Sequence, residues 1–334
     1  MYLAALKAML MKLKNSAVIA FLAILIISCK NDDEGPDIEV VPPRVLSEVA
    51  AEDDAEIREY LETHFYNYEE FASPPADFDF NIVIDTISGD NSSKIPLINQ
   101  IIEKKVIVSS SEFLLEGEEN VEHTYYYLEA KGGVGAKPTI ADSTFVKYEG
   151  TLLNGDVFDN ISTGVWWDNP SFQFPGPGNQ RAFRGVGEGV TNTAGGNNII
   201  DNPDGTFEVE GFGVGMIVFP SALGTFNGLR NPIPAYSPLI FKYQVLTSTE
   251  NTDHDNDGIP SLFEDSDEDG LLYNDNADFE SEPINGRFPN YLDADDDNDG
   301  IPTREEINLD ENGNFLSFRF TNGGDVPDHL NSDI

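Results

Sequence analysis

Apolar and polar residues follow two rhythms along this chain, and its last stretch follows neither. From Leu46 to about Asn67 the apolar positions recur at helical spacing, with Val49, Ile57, Tyr60, Leu61, His64 and Phe65 near one face and Ser47 placed as the N-cap. Ala72-Ser73-Pro74-Pro75 ends that pattern, because proline cannot continue a helix. Residues 78–120 are less regular: Phe80–Ile84 and Lys105–Ser109 read as strands and Ile95–Ile102 as a short helix. From His123 to Ala130 the residues suit a half-buried strand, three tyrosines included, and Lys131–Pro138 reads as a Gly-rich turn. Alternation continues through Phe145–Tyr148, with Val146 and Tyr148 on one face, and returns at Leu239–Val245. Asn154-Gly155 marks a hairpin, since both residues tolerate positive φ, and the chain comes back through Val157, Phe158 and Asp159. Residues 191–213 are a Gly/Asn-rich insertion with a strand-like piece at Thr206–Val209. After Asp253 the rhythm gives way to acidic repeats, and Phe315–Phe320 is a last strand-like run without an assigned role.

The start reads as a processing signal, residues 1–28, rather than as part of the fold. Lys12 and Lys14 precede the apolar run Ala17–Ile27, which is shorter than the ~18 residues a spanning helix needs. That run ends in Ile26-Ile27-Ser28-Cys29, which resembles a bacterial lipobox with Cys29 as the lipidated residue; a secretory peptide that happens to contain cysteine is the alternative. Cys29 is the single cysteine, so an intramolecular disulfide and cysteine-based catalytic or zinc sites are excluded. Residues 29–45 form an acidic, proline-containing tether. Its opening, Lys30 to Glu34, resembles a surface-export signal and equally fits a hydrophilic spacer. The expected setting is the cell envelope, as an outer-membrane lipoprotein held by its lipid, with the membrane face left open.

Charge narrows the partners. The 334 residues carry 60 Asp and Glu against 19 Lys and Arg, a net charge of −41, which repels nucleic-acid phosphates. His64, His123, His254 and His329 are scattered without a Ser or Cys nucleophile context. Gly185-Val186-Gly187-Glu188-Gly189 lacks the Gly-Lys-Ser/Thr that completes a phosphate loop.

Tyr148-Glu149-Gly150, the Asn154-Gly155 turn and the Phe158-Asp159 pair together resemble the FKBP-type peptidyl-prolyl isomerases in spacing and residue type. Further pieces follow in the family's order: Ala136-Lys137-Pro138, Pro170–Phe174 as a strand carrying another pocket aromatic, Ala182–Val190, Ile233–Tyr236 and Leu239–Val245. The resemblance covers roughly residues 121–248. It implies an α+β fold, a twisted antiparallel sheet wrapped over one short helix with an apolar cleft between them, and leaves 46–120 as a helical N-terminal extension. It further implies Tyr148, Phe158 and Asp159 as catalytic groups, and Phe172, Phe174, Phe183, Val186, Ile233 and Phe241 as the lining that binds substrate. No nucleophile or cofactor is required: the barrier to rotating an X-Pro amide is ~18–20 kcal/mol, and an apolar cleft favours the less polar, twisted state. Implied partners are proline-containing exported polypeptides; the oligomeric state stays open. Val186 stands where the well-known members have tryptophan, Thr225 stands where they have a substrate-binding tyrosine, and the 191–213 insertion is placed to cover the cleft or change which peptides enter.

The acidic segment, residues 251–334, has the oxygen spacing of calcium loops. Asp253, Asp255 and Asp257 precede Gly258, with Glu264 at position twelve; Asp265, Asp267 and Asp269 precede Gly270; Asp293 leads into Asp295, Asp297 and Asp299 before Gly300, with Glu306 at position twelve. Asp310, Asn312 and Asn314 form a weaker fourth. Alternate residues converge on an ion while the intervening ones point away. The repeat resembles thrombospondin type-3 repeats, which implies calcium as its cofactor and little apolar core; a solvated, disordered acidic tail is the alternative. Three functions fit the whole chain: a prolyl isomerase for exported clients, a prolyl-peptide binder without much catalysis, and a calcium-dependent surface structural protein.

Overall fold

The computed structural model describes residues 42–334 apart from 179, 204–206, 282 and 284–285. The signal peptide, Cys29 and the acidic run behind it lie outside the described residues. Arg44–Ile334 forms one compact unit that contains both the sheet and the acidic segment.

Helix α1 (Leu46–Thr63) comes first, followed by strand β1 (His64–Tyr66), the five-residue helix α2 (Tyr68–Ala72) and strand β2 (Ile84–Thr86), which pairs with β1. The apolar face of α1 is close to the expected one: Leu46, Val49, Ile57 and Leu61 are buried. Its cap is not. Val45 occupies the N-cap without a side-chain bond, and Ser47 instead gives its N–H and hydroxyl to the Glu118 carboxylate at 2.7 and 2.9 Å. His64 belongs to β1, with its ring stacked on Tyr60 at 3.9 Å. Phe80 takes a φ of 57°, so the strand expected from Phe80 begins only at Ile84. The short helix expected at Ile95–Ile102 is a single 3-10 turn, Leu97–Asn99.

The main sheet has six antiparallel strands: β3 (Ile102–Val108), β4 (Val121–Lys131), β5 (Ser143–Leu152), β6 (Val157–Asp168), β9 (Gly213–Phe219) and β10 (Leu239–Thr249), in the order β3-β4-β9-β10-β5-β6. Thus part of the region read as an extension supplies an edge strand. Between β6 and β9 lie helix α3 (Arg184–Val190) and a ribbon of β7 (Asn198–Asp201) with β8 (Phe207–Glu210). Every residue of β9 is buried, because this strand is covered on both sides. Val214, Met216 and Val218 pack with Ile57 and Leu61 of α1, whereas Ile217 and Phe219 join the cluster that contains Val186 and Val190 of α3. The expected sheet wrapped over one short helix is therefore present, with α1 closing its other face.

Two glycines set how close α3 comes to the sheet. A Cβ on Gly185 would lie 2.4 Å from the Phe219 ring, and one on Gly189 would lie 2.9 Å from Ile217. A buried ion group fixes the ends of that contact: Glu112 accepts from Arg181 and Arg184, and Arg184 also donates to the Ile107 carbonyl at 3.0 Å. Buried charges of this kind persist only when paired and hydrogen-bonded.

In the acidic segment, helix α4 (Thr303–Glu306) leads into a hairpin of β11 (Ile307–Leu309) with β12 (Phe315–Phe318). Its turn holds the fourth acidic motif, where Asp310 accepts N–H bonds from Asn312 and Asn314 at 2.8 and 2.9 Å. Gly185→Ala is expected to lower stability by about 1–3 kcal/mol through overpacking, read as a lower urea midpoint at constant m-value; an unchanged midpoint would show that α3 can back away freely.

Candidate functional site

The register of β5 places the site. Tyr148 pairs with Tyr243 and Gly150 with Phe241 across to β10, while Gly150 pairs with Asp159 across to β6. Gly150 has a steric reason to lack a side chain: a Cβ there would meet the Phe158 ring at 2.6 Å and the Phe241 ring at 3.2 Å. The Phe158 ring thus lies over the strand backbone. The β5–β6 turn is closed by Leu152 N–H to the Asp156 carbonyl and Gly155 N–H to the Leu152 carbonyl, both at 3.0 Å. Only Gly155 takes positive φ there, +88°; Asn154 keeps negative φ and uses its side-chain carbonyl to accept the Asp156 N–H.

Tyr148, Phe158, Phe172 and Phe183 are half-buried around Phe241, Val186 and Ile233, which lie beneath them in the core. Ring centroids are 5.5 Å apart for Phe158–Phe241 and Phe183–Phe241, and 5.9 Å for Phe158–Phe183 and Tyr148–Phe241. At the edge of this wall the Tyr148 hydroxyl donates to the exposed Asp159 carboxylate at 2.7 Å. Burial, then that hydrogen bond, pushes the Tyr148 hydroxyl above its ordinary pKa, so it stays a donor.

Phe174 is not part of this wall. The expected strand Pro170–Phe174 is a 3-10 turn over Pro170–Phe172, which sends Phe174 toward Tyr273 and Tyr291 of the acidic segment, at 6.3 and 6.4 Å. Trp167 takes a place in the wall instead, 4.8 Å from Tyr148 and 5.5 Å from Phe172. Its signal was the pair Trp166-Trp167 opposite Phe145 and Thr144: Trp166 stays with Phe145 on the outer face, so Trp167 turns inward. Arg230 is a second group that the sequence reading missed, with its guanidinium 4.8 Å over the Phe183 ring. Thr225 is fully buried and its hydroxyl has no partner, so it does not face the cleft. Among the described residues of the insertion, Phe207 of β8 packs on Phe145, behind the sheet. Behind the sheet there is also a cleft of about 710 Å³, lined by Phe80, Ile84, Lys147, Glu149, Lys242 and Gln244.

The acidic segment brings its carboxylates together in trios. Asp253 with Asp255 and Asp257, Asp265 with Asp267 and Asp269, and Asp295 with Asp297 and Asp299 each place oxygens within 4.8 Å of one another. All three loops share one backbone solution, in which the first aspartate accepts the N–H of the sixth-position glycine, at 3.1, 3.0 and 3.2 Å. Gly258, Gly270 and Gly300 have φ of +107°, +82° and +95°, the left-handed region that glycine adopts without strain. Asp293 stands outside the third trio and accepts the Asp295 N–H. Glu306 is buried, and burial with the third-loop carboxylates pushes it up to about 7. Burial, then Asp257, pushes Asp255 up to about 8, while burial pushes Asp257 up to about 7. An all-oxygen donor set with unpartnered buried atoms on Asp255, Asp257, Asp265, Asp295 and Asp297 fits a hard cation such as calcium.

This segment lies against the cleft's own framework. Gln173 donates to the Gly270 carbonyl at 2.7 Å and accepts from Leu272 at 3.0 Å, and His254 meets Asp168 at 3.0 Å. Gln173 and Asp168 are chain neighbours of Phe172 and Trp167. Leu272 and Tyr291 add a small apolar cluster with Ala141.

Residues 254–330 match the family described as BamM C-terminal, where the repeats themselves had resembled thrombospondin type 3. No curated protein matches the chain. Among solved structures, a peptidyl-prolyl cis-trans isomerase from Pseudomonas syringae is 20% identical, over 38% of this chain and 76% of that one, with a TM-score of 0.29. FkpA from Escherichia coli is also 20% identical, over 60% of this chain and 62% of that one, with a TM-score of 0.30. Likenesses of this size leave the functional reading to the chain's own residues.

Carboxyls held above their unfolded values bind protons more tightly in the folded chain, so stability without a cation falls as pH rises through those values. In chelator the thermal midpoint is expected to rise as pH is lowered from about 8 towards 4, the window between Asp255 folded and its ordinary value. Calcium is expected to flatten that slope, and equal slopes with and without it would contradict a cation among these groups.

Proposed function

We propose that the cleft of Tyr148, Phe158, Trp167, Phe172, Phe183 and Phe241 accepts the proline of exported polypeptides and speeds cis-trans isomerisation of the preceding amide. The observation that carries this reading is the Tyr148–Asp159 hydrogen bond of 2.7 Å at the rim of an otherwise apolar, half-buried wall. The rings would take the pyrrolidine and strip water from the amide, which disfavours the planar, resonance-polarised form relative to the twisted one. Asp159 would act on the twisted amide as a fixed charge, with Tyr148 holding its orientation. Arg230 would contribute a positive edge beside Phe183. Bound calcium would supply the counter-charge that the three aspartate loops lack, and it would steady the 168–174 segment that carries Phe172. Lipidation at Cys29 would tether the chain to the outer membrane.

A prolyl-peptide binder without catalysis is the second reading. It is favoured by Thr225, whose hydroxyl is fully buried and offers nothing to a substrate carbonyl. Exchange NMR of a short X-Pro peptide separates the two. Wild type is expected to accelerate exchange, with Asp159→Ala losing about tenfold (~1.4 kcal/mol of barrier) and Phe158→Ala at least as much. Peptide binding without acceleration by the folded protein would leave the binder; neither binding nor acceleration would overturn both.

A further inference from the structure

Asp296 occupies an intervening position of the third acidic loop, where the repeat pattern expects a side chain turned away from any ion. It is buried instead, 2% exposed, and it faces Asp257 and Glu264 of the first loop, themselves 2% and 4% exposed. The three offer oxygens within 4.8 Å of one another. Two ligands of one calcium ion, each about 2.3–2.6 Å from it, lie no more than roughly 4.6–5.2 Å apart. Both oxygens of Glu264 and one of Asp257 find no hydrogen-bond donor. Arg304, whose charge reaches Asp257, donates instead to the Gly313 carbonyl. Three buried carboxylates converging with no basic side chain bonded to them among the described residues are strongly unfavourable unless a cation joins them.

The local backbone holds each group in place. Glu264 ends the 3-10 turn Ser261–Glu264, whose first N–H donates to the Thr252 carbonyl at 2.8 Å. Asp257 uses one oxygen to accept the Ile259 N–H at 2.6 Å, which leaves the other directed at the trio. Asp296 donates its main-chain N–H to the Thr303 hydroxyl at 3.1 Å, and Thr303 donates back to the Ala294 carbonyl at 3.0 Å.

We propose that Asp257, Glu264 and Asp296 hold one divalent cation, calcium, that bridges the first and third loops. The bridge rests on the calcium reading of the acidic segment and adds to it a cross-link between parts distant in sequence. Such an ion closes a long loop, and it makes folding of the segment cooperative in calcium rather than a sum of independent sites.

Asp296→Asn and Glu264→Gln test this in the full chain, with calcium alone as the probe, by calorimetric titration and thermal unfolding. Asp267→Asn in the separate second trio is the control. Each bridge variant is expected to weaken one calcium-binding step at least tenfold and to shrink the calcium-induced rise in midpoint. In chelator, the same variants are expected to be as stable as wild type or more so, because a repelling charge has gone. Asp267→Asn is expected to affect a different step and to leave the bridge step intact. Unchanged binding steps and midpoints in both bridge variants, with calcium still bound, would overturn the bridge alone. Absence of calcium binding by wild type would overturn the calcium reading and the bridge with it.

Discussion

The backbone of α3 lies against the sheet at a distance that only side-chain-free positions allow. Gly185 on Phe219 and Gly189 on Ile217 bring the helix down, and Phe219 in turn stacks on Phe241 at 5.9 Å. Phe183 and Val186 are therefore delivered to the cleft by a contact made on the buried side of the same turn. Gly150 does the same work on β5, where the missing Cβ lets Phe158 lie across the strand. The ring wall is thus a consequence of close backbone approach, and the Glu112 group with Arg181 and Arg184 keeps that approach from loosening. Interiors packed at this density respond to single methyl groups.

The acidic segment imposes the opposite constraint. Its carboxylates are gathered by turns that point N–H groups at the first aspartate of each loop, and the same turns bury the remaining oxygens without donors. Repulsion inside the segment and docking on the 168–174 stretch meet at Gln173 and His254. A cation that relieves the first would reinforce the second. In this way a charge arrangement far from proline chemistry would bear on the two residues, Trp167 and Phe172, that close one side of the cleft.

Much of this was legible in the sequence because the period of two and the paired aspartates are local signals. The strand through Tyr148 and the turn that returns Phe158 and Asp159 could be read from local pattern, whereas their gathering into one site was implied by the FKBP resemblance, and the glycines after each acidic triplet fitted the turn of a calcium loop. What could not be read depends on contacts between distant residues. Phe174 fell outside the wall because Pro170 starts a 3-10 turn rather than a strand. Ser47 was drawn from capping to Glu118, seventy-one positions away. Asp53, an acidic residue in the buried stripe of α1, is explained only by Ser221, whose N–H and hydroxyl it accepts at 2.8 and 2.6 Å. Asp296 was assigned outward by the repeat's alternation, and only the folding back of the third loop on the first turns it inward.

The most direct test of the account is to locate where a proline-containing peptide binds, since the sheet carries a ring wall on one face and a cleft of about 710 Å³ on the other. Amide and aromatic NMR shifts followed during titration of the calcium-loaded full chain would decide it. The expected result is perturbation of Tyr148, Phe158, Trp167 and Phe183, with Lys147 and Lys242 behind the sheet unchanged. Perturbation confined to the face of Phe80, Lys147 and Lys242 would contradict the account and move the functional surface to the other side of the fold.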